Sequence, residues 1–138
     1  MKRFTVTAVA ILTATCAFAA ELQWQADYDK ALAAAKSAKK IVMVDLYTDW
    51  CGWCKKLDRD VYANTDVKSK LAKDFVSLKI NPEKSKKGME LARSFGTRGY
   101  PHIVFLDANG KKISEIVGYV PADKFGEKLA SLTEKPTK

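Results

Sequence analysis

A three-layer α/β/α sandwich around a mixed central sheet is the fold class that three features of this 138-residue chain predict. Apolar stripes of helical period alternate along it with apolar runs of strand length. One such run, Ile41-Val42-Met43-Val44-Asp45-Leu46-Tyr47, lacks the alternation of a half-buried strand, so it is expected at the centre of a sheet, covered on both faces. Further on, Ala108-Asn109-Gly110 separates two apolar runs, a hairpin signal that gives the sheet an antiparallel edge. With 47% apolar and 29% charged residues, the composition suits one domain with an ordinary core.

Each element has its own signal. Glu21 to Gln25 reads as a short entry segment, with Trp24 packing on the core. Asp27 to Lys39 is predicted helical, with Tyr28, Ala31, Leu32 and Ala35 on one stripe and lysines near the C-terminal end, where they complement the dipole. The strand Ile41–Tyr47 follows. After it, Cys54, Leu57 and Val61 recur at helical spacing, and that helix is expected to bend or break near Ala63-Asn64-Thr65, where Asn64 or Thr65 caps a new turn. Val67, Leu71 and Ala72 continue the stripe. Phe75 to Ile80 alternates as a strand and Pro82 ends it. Lys84 to Phe95 reads as a helix with Met89, Ala92 and Phe95 inward and Gly96 as its stop. Pro101 to Leu106 is a strand. Lys111 to Tyr119 returns beside it, with Ile113, Ile116 and Val117 supplying apolar contacts. A last helix opens at Pro121 with Phe125, Leu129 and Leu132 on one face, and the tail from Thr133 is polar. Strands joined through helices are expected to pair in parallel, leaving the closing hairpin antiparallel.

The first residues read differently. Met1-Lys2-Arg3 is a basic start, Phe4 to Thr15 is mostly apolar, and Ala17-Phe18-Ala19 fits a cleavage site, so residues 1–19 are expected to be a signal peptide and 20–138 the domain. Retention of the leader as a membrane anchor is the alternative. On this reading the product is exported, periplasmic or extracellular, with no stable membrane insertion after cleavage. The net charge of +8 loses Lys2 and Arg3 and becomes +6. Lys36, Lys39 and Lys40, and again Lys84, Lys86 and Lys87, read as solvated helix ends and loops. Neither group has the interleaved aromatics of a nucleic-acid surface, and no nucleic-acid partner is expected.

Of the three cysteines, Cys16 leaves with the leader, and Cys51 and Cys54 remain. A pair two residues apart closes almost no loop and restrains the unfolded chain little, so a redox role is favoured over a structural staple. The spacing puts Cys51 at a helix N-terminus, where unpaired N–H groups and the dipole favour a thiolate, and Cys54 one turn further in. A Cys-x-x-Cys pair at a strand–helix junction reads as a redox dithiol.

The stretch Val44-Asp45-Leu46-Tyr47-Thr48-Asp49-Trp50-Cys51-Gly52-Trp53-Cys54-Lys55 resembles the active-site segment of the thioredoxin superfamily. Arg98-Gly99-Tyr100-Pro101 resembles that family's cis-proline loop, and Gly118 the glycine of its last strand. The likeness runs from about Asp27 to Leu132 and is greatest to exported thioredoxin-like domains such as the C-terminal domain of DsbD-type carriers. It implies a thiol-disulfide oxidoreductase in which Cys51 attacks, Cys54 resolves and Asp45 takes the proton from the resolving thiol. Lys79 falls on the lysine that accompanies that carboxylate. It further implies that Pro101 is cis and packs against the disulfide, and that the Tyr100 backbone pairs with a substrate segment. Gly52-Trp53 departs from the commoner Gly-Pro and Gly-His dipeptides.

Trp50 is read first as a packing residue and Trp53 as part of the substrate surface; with Tyr100 and Pro101 both are candidates for substrate binding. Protein disulfides and dithiols are the expected partners, with a membrane or soluble thiol electron donor; a monomer without cofactor or resident metal is expected. The alternatives are a copper(I) site from Cys51, Cys54 and His102, with His102 otherwise a partly exposed strand residue, and a thioredoxin-fold binding module without turnover.

Overall fold

The computed structural model describes residues 21–134, so the expected leader, its cleavage site and Cys16 lie outside the described residues. Within that span the order is β1 (Trp24–Gln25), α1 (Tyr28–Ala38), β2 (Ile41–Leu46), α2 (Gly52–Leu57), a π-helical turn (Asp58–Tyr62) and α3 (Thr65–Asp74). Then come β3 (Phe75–Ile80), α4 (Lys86–Ser94), β4 (His102–Leu106), β5 (Lys112–Val117) and α5 (Ala122–Thr133). The strands form one sheet in the order β1-β3-β2-β4-β5.

Local chemistry sets the element ends. Asp27 accepts the Lys30 N–H at 3.0 Å to start α1, and Lys39 in the left-handed region closes it. Asn64 starts α3 by accepting from the N–H groups of Asp66 and Val67, and Ser85 starts α4 by accepting from Gly88. In the β4–β5 turn the Asp107 carboxylate accepts from the N–H groups of Asn109 and Lys111. Gly110 there has φ +83°, a conformation only glycine adopts without strain.

The pleat of β2 builds the two cores. Val42, Val44 and Leu46 face one layer, packed with Ala31 and Ala35 of α1 and Leu91 and Ala92 of α4. Met43 faces the other, with Leu57, Val61, Tyr62, Leu71, Phe125 and Leu129 from α2, the π turn, α3 and α5. Asp45, two residues beyond Met43, therefore points into the layer that carries the cysteine helix. Burial on both faces is the reason β2 reads as a continuous apolar run.

Several expectations need correction. β2 and β3 pair in parallel, but β4 lies antiparallel to β2 as well as to β5, so passage through a helix did not make β3 and β4 run alike. Met89 is exposed, and Gly88 takes the inward position on α4. On β5 only Ile116 is buried; Ile113 and Val117 are exposed because no helix covers that stretch of the edge strand.

Candidate functional site

The chain leaves β2 at Leu46 and is held to the sheet by the Tyr47 N–H, which donates to the Ile80 carbonyl at 3.1 Å. A tight turn follows in which the Cys51 N–H donates to the Thr48 carbonyl. Cys51 thereby becomes the N-cap of α2, and its Sγ accepts the Cys54 N–H at 3.1 Å. Cys51 and Cys54 are joined in a disulfide with a Cα–Cα separation of 5.3 Å. Their exposures, 4% and 3%, do not separate the two cysteines in the disulfide form.

Beneath this turn the Asp45 carboxyl is buried at 1% exposure. Its register partner on β3 is Lys79, whose Nζ stands 3.7 Å from Asp45 Oδ2 and forms a closer ion pair with Asp58 at the start of the π turn. The same ammonium sits over the rings of Trp24, Tyr47 and Tyr62, at 5.1, 5.1 and 5.5 Å from their centroids. Burial is the largest influence on Asp45 and raises its pKa from 3.8 to about 6. Lys79 opposes that shift and Asp58 adds to it. The lysine does not win because Asp58 already holds it.

Tyr100 and Pro101 are joined by a cis peptide bond, and the Pro101 carbonyl accepts the Gly118 N–H at 2.9 Å. Gly118, at φ +83°, makes that close approach in a conformation a side chain would strain. Trp50 and Trp53 are both largely exposed, so Trp50 is not a core residue. Its indole N–H donates to Glu83 at 2.9 Å and its ring meets Tyr100 edge-on. Trp53 lies beside Tyr119, with centroids 5.5 Å apart, and a groove of about 230 Å³ runs between Trp53, Tyr100, Gly118 and Tyr119.

His102 is buried at 3%, not partly exposed. Its Nδ1 is 2.8 Å from Thr97 Oγ1 and its Nε2 is 2.8 Å from Glu115 Oε2. With both ring nitrogens engaged there, His102 is not aimed at the cysteines, and the copper(I) arrangement lacks its third ligand. Among the described residues no group of three histidine, cysteine or acidic side chains is arranged to hold a metal ion.

Cys51, Cys54, Asp45, Trp50, Trp53, Tyr100 and Pro101 thus gather at one end of the sheet. Sequence reasoning missed Asp58 and Tyr62 on the π turn, Glu83 against Trp50, and Tyr119 in the groove. Asp58 and Tyr62 are joined through Lys79 of β3, a long-range contact that leaves no signal in their spacing.

Chemically, a paired thiol set at a helix cap over a buried carboxyl exchanges a dithiol for a disulfide. Residues 28–133 match the thioredoxin-like domain, and the chain belongs to that family. Thiol:disulfide interchange protein DsbD of Photorhabdus laumondii is 34% identical over 100 residues, which cover 70% of this chain and 17% of that protein. The chloroplastic thioredoxin-like protein HCF164 of Oryza sativa is 32% identical over 111 residues, 80% of this chain and 39% of that one. The chain therefore spans less than a fifth of the length of the DsbD relatives it matches. The solution structure of a thioredoxin from Thermus thermophilus superposes with a TM-score of 0.73 at 27% identity, covering 82% of this chain and 88% of that one.

Proposed function

We propose that this domain is a thiol-disulfide oxidoreductase that reduces disulfides of protein substrates through Cys51 and Cys54. The observation that carries the reading is the Cys51–Cys54 disulfide at the N-cap of α2, on the face of the sheet into which the buried Asp45 carboxyl points. In the reduced protein the Cys51 thiolate attacks a substrate disulfide, and one substrate sulfur leaves as a thiolate. Cys54 then gives its proton to Asp45 and attacks Cys51, releasing the second substrate sulfur and forming the internal disulfide. The Tyr100 backbone beside Pro101 pairs with the substrate segment as a short added strand, and Trp50 and Trp53 flank it. The groove of Trp53, Tyr100 and Tyr119 supports that role because one of its walls is Trp53, which stands between the two cysteines in the chain, and because it is lined by aromatic faces.

Residues 1–19 are a cleaved signal peptide in this reading, 20–138 the mature domain, and the working compartment lies outside the cytoplasm. A thiol electron donor recharges the disulfide, as the name of the DsbD relatives suggests for interchange between thiols and disulfides. Among the described residues no helix is long and apolar enough to cross a membrane. Turnover of insulin disulfides with dithiothreitol is the test: the wild type should accelerate precipitation of the insulin chains and Cys51→Ser should not. A rate equal to that of Cys51→Ser would reduce the domain to a binding module.

A further inference from the structure

The π turn that follows α2 carries a residue for which the dithiol chemistry has so far given no task. Tyr62 closes that turn, with its ring fixed edge-to-face against Trp24 at 4.9 Å and Phe125 at 5.7 Å. A ring clamped on two sides cannot swing its hydroxyl out to water, and the hydroxyl is buried with no hydrogen-bond partner. Asp45 Oδ1 is in the same condition, while Oδ2 faces Lys79. The pleat of β2 turns Asp45 into the layer where Tyr62 packs, and both residues border the one Lys79 ammonium. Two unpartnered buried oxygens on one site, one able to donate and the other to accept, are costly unless they pair at some stage of the cycle.

We propose that Tyr62 is a positioning residue for the buried acid: its hydroxyl donates to Asp45 Oδ1 when that carboxyl ionises, holding the carboxylate ready to take the Cys54 proton. The inference rests on the reading of Asp45 as the proton acceptor in resolution. In the step itself, Asp45 gains the proton of Cys54, and the Cys54 sulfur bonds to Cys51. The bond from Cys51 to the substrate sulfur breaks, and its electron pair leaves on the substrate thiolate. Once Asp45 is neutral the phenol has lost its charged acceptor and the pair weakens. Burial already pushes the Asp45 carboxyl up and the Tyr62 hydroxyl lowers it, the direction expected of a donor to the charged form.

The other groups around Asp45 are accounted for. Lys79 comes from β3 and Asp58 from the first position of the π turn, while the register partner on β4, Ile103, is apolar. A surface cavity of about 360 Å³ is lined by Asp58, Tyr62 and Lys79, with Glu21 and Lys68 also in its walls, so solvent comes up to the groups that face Asp45.

Tyr62→Phe removes the hydroxyl and keeps the clamped ring, so the fold is retained. Two measurements decide the matter. In the first, carbon-detected NMR follows the Asp45 carboxyl through a pH titration of the oxidised protein, with Asp45→Asn assigning the resonance. In the second, the reduced protein meets dithiobis(nitrobenzoate), and the release of the second thiolate reads resolution by Cys54. The variant should raise the Asp45 midpoint by about one pH unit, move the pH profile of the second release with it, and slow that release about tenfold at pH 5. The first release, by Cys51, should not change. An Asp45 titration identical in wild type and Tyr62→Phe overturns the proposal, as does a shifted titration with an unmoved second release while Asp45→Asn still slows it. If Asp45→Asn leaves the second release unchanged, the proton-acceptor reading falls by itself, and the NMR shift alone then decides whether Tyr62 and Asp45 pair.

Discussion

Replacing Asp45 by asparagine should stabilise the protein at neutral pH, and by an amount that grows with pH. The carboxyl is buried, and its pKa is pushed from 3.8 to about 6 because burial outweighs an ammonium 3.7 Å away that Asp58 has engaged. Folded protein thus keeps the Asp45 proton until about pH 6, whereas the unfolded chain gives it up near 3.8. Between those values unfolding releases a proton, so raising the pH favours unfolding; the native state loses stability across that window and levels off above it. A displacement of about two pH units corresponds to about 3 kcal/mol. Asparagine has nearly the same shape and cannot ionise, so its stability lacks this slope. Urea denaturation of the oxidised wild type and of Asp45→Asn at pH 4, 5, 6 and 7 measures the difference. It should be smallest at pH 4, where the unfolded chain has already begun to ionise, and larger by about 2.4 kcal/mol at pH 7. Parallel pH dependences would refute the reasoning, since they would mean that the carboxyl titrates alike in both states. A wild type that gained on the variant with rising pH would show that Lys79, not burial, governs the site.

Other outcomes follow from single contacts. Cys54→Ser should leave Cys51 free to attack and unable to be displaced, so incubation with a protein disulfide should accumulate a mixed disulfide visible by non-reducing electrophoresis, which Cys51→Ser should not form. Trp53→Ala should lower kcat/KM for a protein disulfide by about tenfold through loss of one wall of the groove, with little change for dithiobis(nitrobenzoate), which needs no such wall. Asn64→Ala removes the acceptor of two N–H groups at the start of α3 and should cost about 1 kcal/mol in thermal or urea unfolding. Leu57→Ala, at the buried last position of α2, should cost about 2–5 kcal/mol in the same assay.

What the sequence makes legible is what local pattern controls. Burial of β2 on both faces writes itself as an unbroken apolar run, and Asp45 inside that run is legible as buried for the same reason. The cap at Asn64 is legible because a side chain bonds its own neighbours. Strand direction is not, since a period of two reads the same both ways, and the helix before β4 delivers it antiparallel to β2. On α4 the inward position belongs to Gly88, whose missing side chain gives no hydrophobic signal. An added Cβ would stand 2.6 Å from Ile80 Cγ2, so closeness of packing, not apolarity, selects the residue, and Met89 turns outward. His102 is buried by partners five and thirteen residues away that no periodicity links to it. The π turn hides in the same way: Leu57 and Val61 look like one continuing helix, and only the tertiary site shows that the turn also brings Asp58 and Tyr62 to Lys79.

The charges around Cys51 bear on the direction in which such a couple works. A strong oxidant needs a reduced form held by several favourable partners of its thiolate. Here the backbone N–H of Cys54 reaches Cys51 Sγ at 3.1 Å, and α2 supplies its N-terminal dipole. Beyond that the surroundings give little. Trp53 is uncharged, Lys56 is tied to Asp60, Lys84 to Asp49 and Lys79 to Asp58. Each of these cations meets a carboxylate before it can meet the sulfur, and Asp49 lies only two residues from Cys51. Since about 30 mV corresponds to about 1.4 kcal/mol, each absent thiolate partner moves the couple measurably towards the reducing side. Equilibration with glutathione buffers should therefore give a potential nearer about −270 mV than about −120 mV. A value at the oxidising end would mean that the thiolate finds a stabilising partner in the reduced protein that the disulfide form does not offer, and the domain would then donate disulfides instead of removing them.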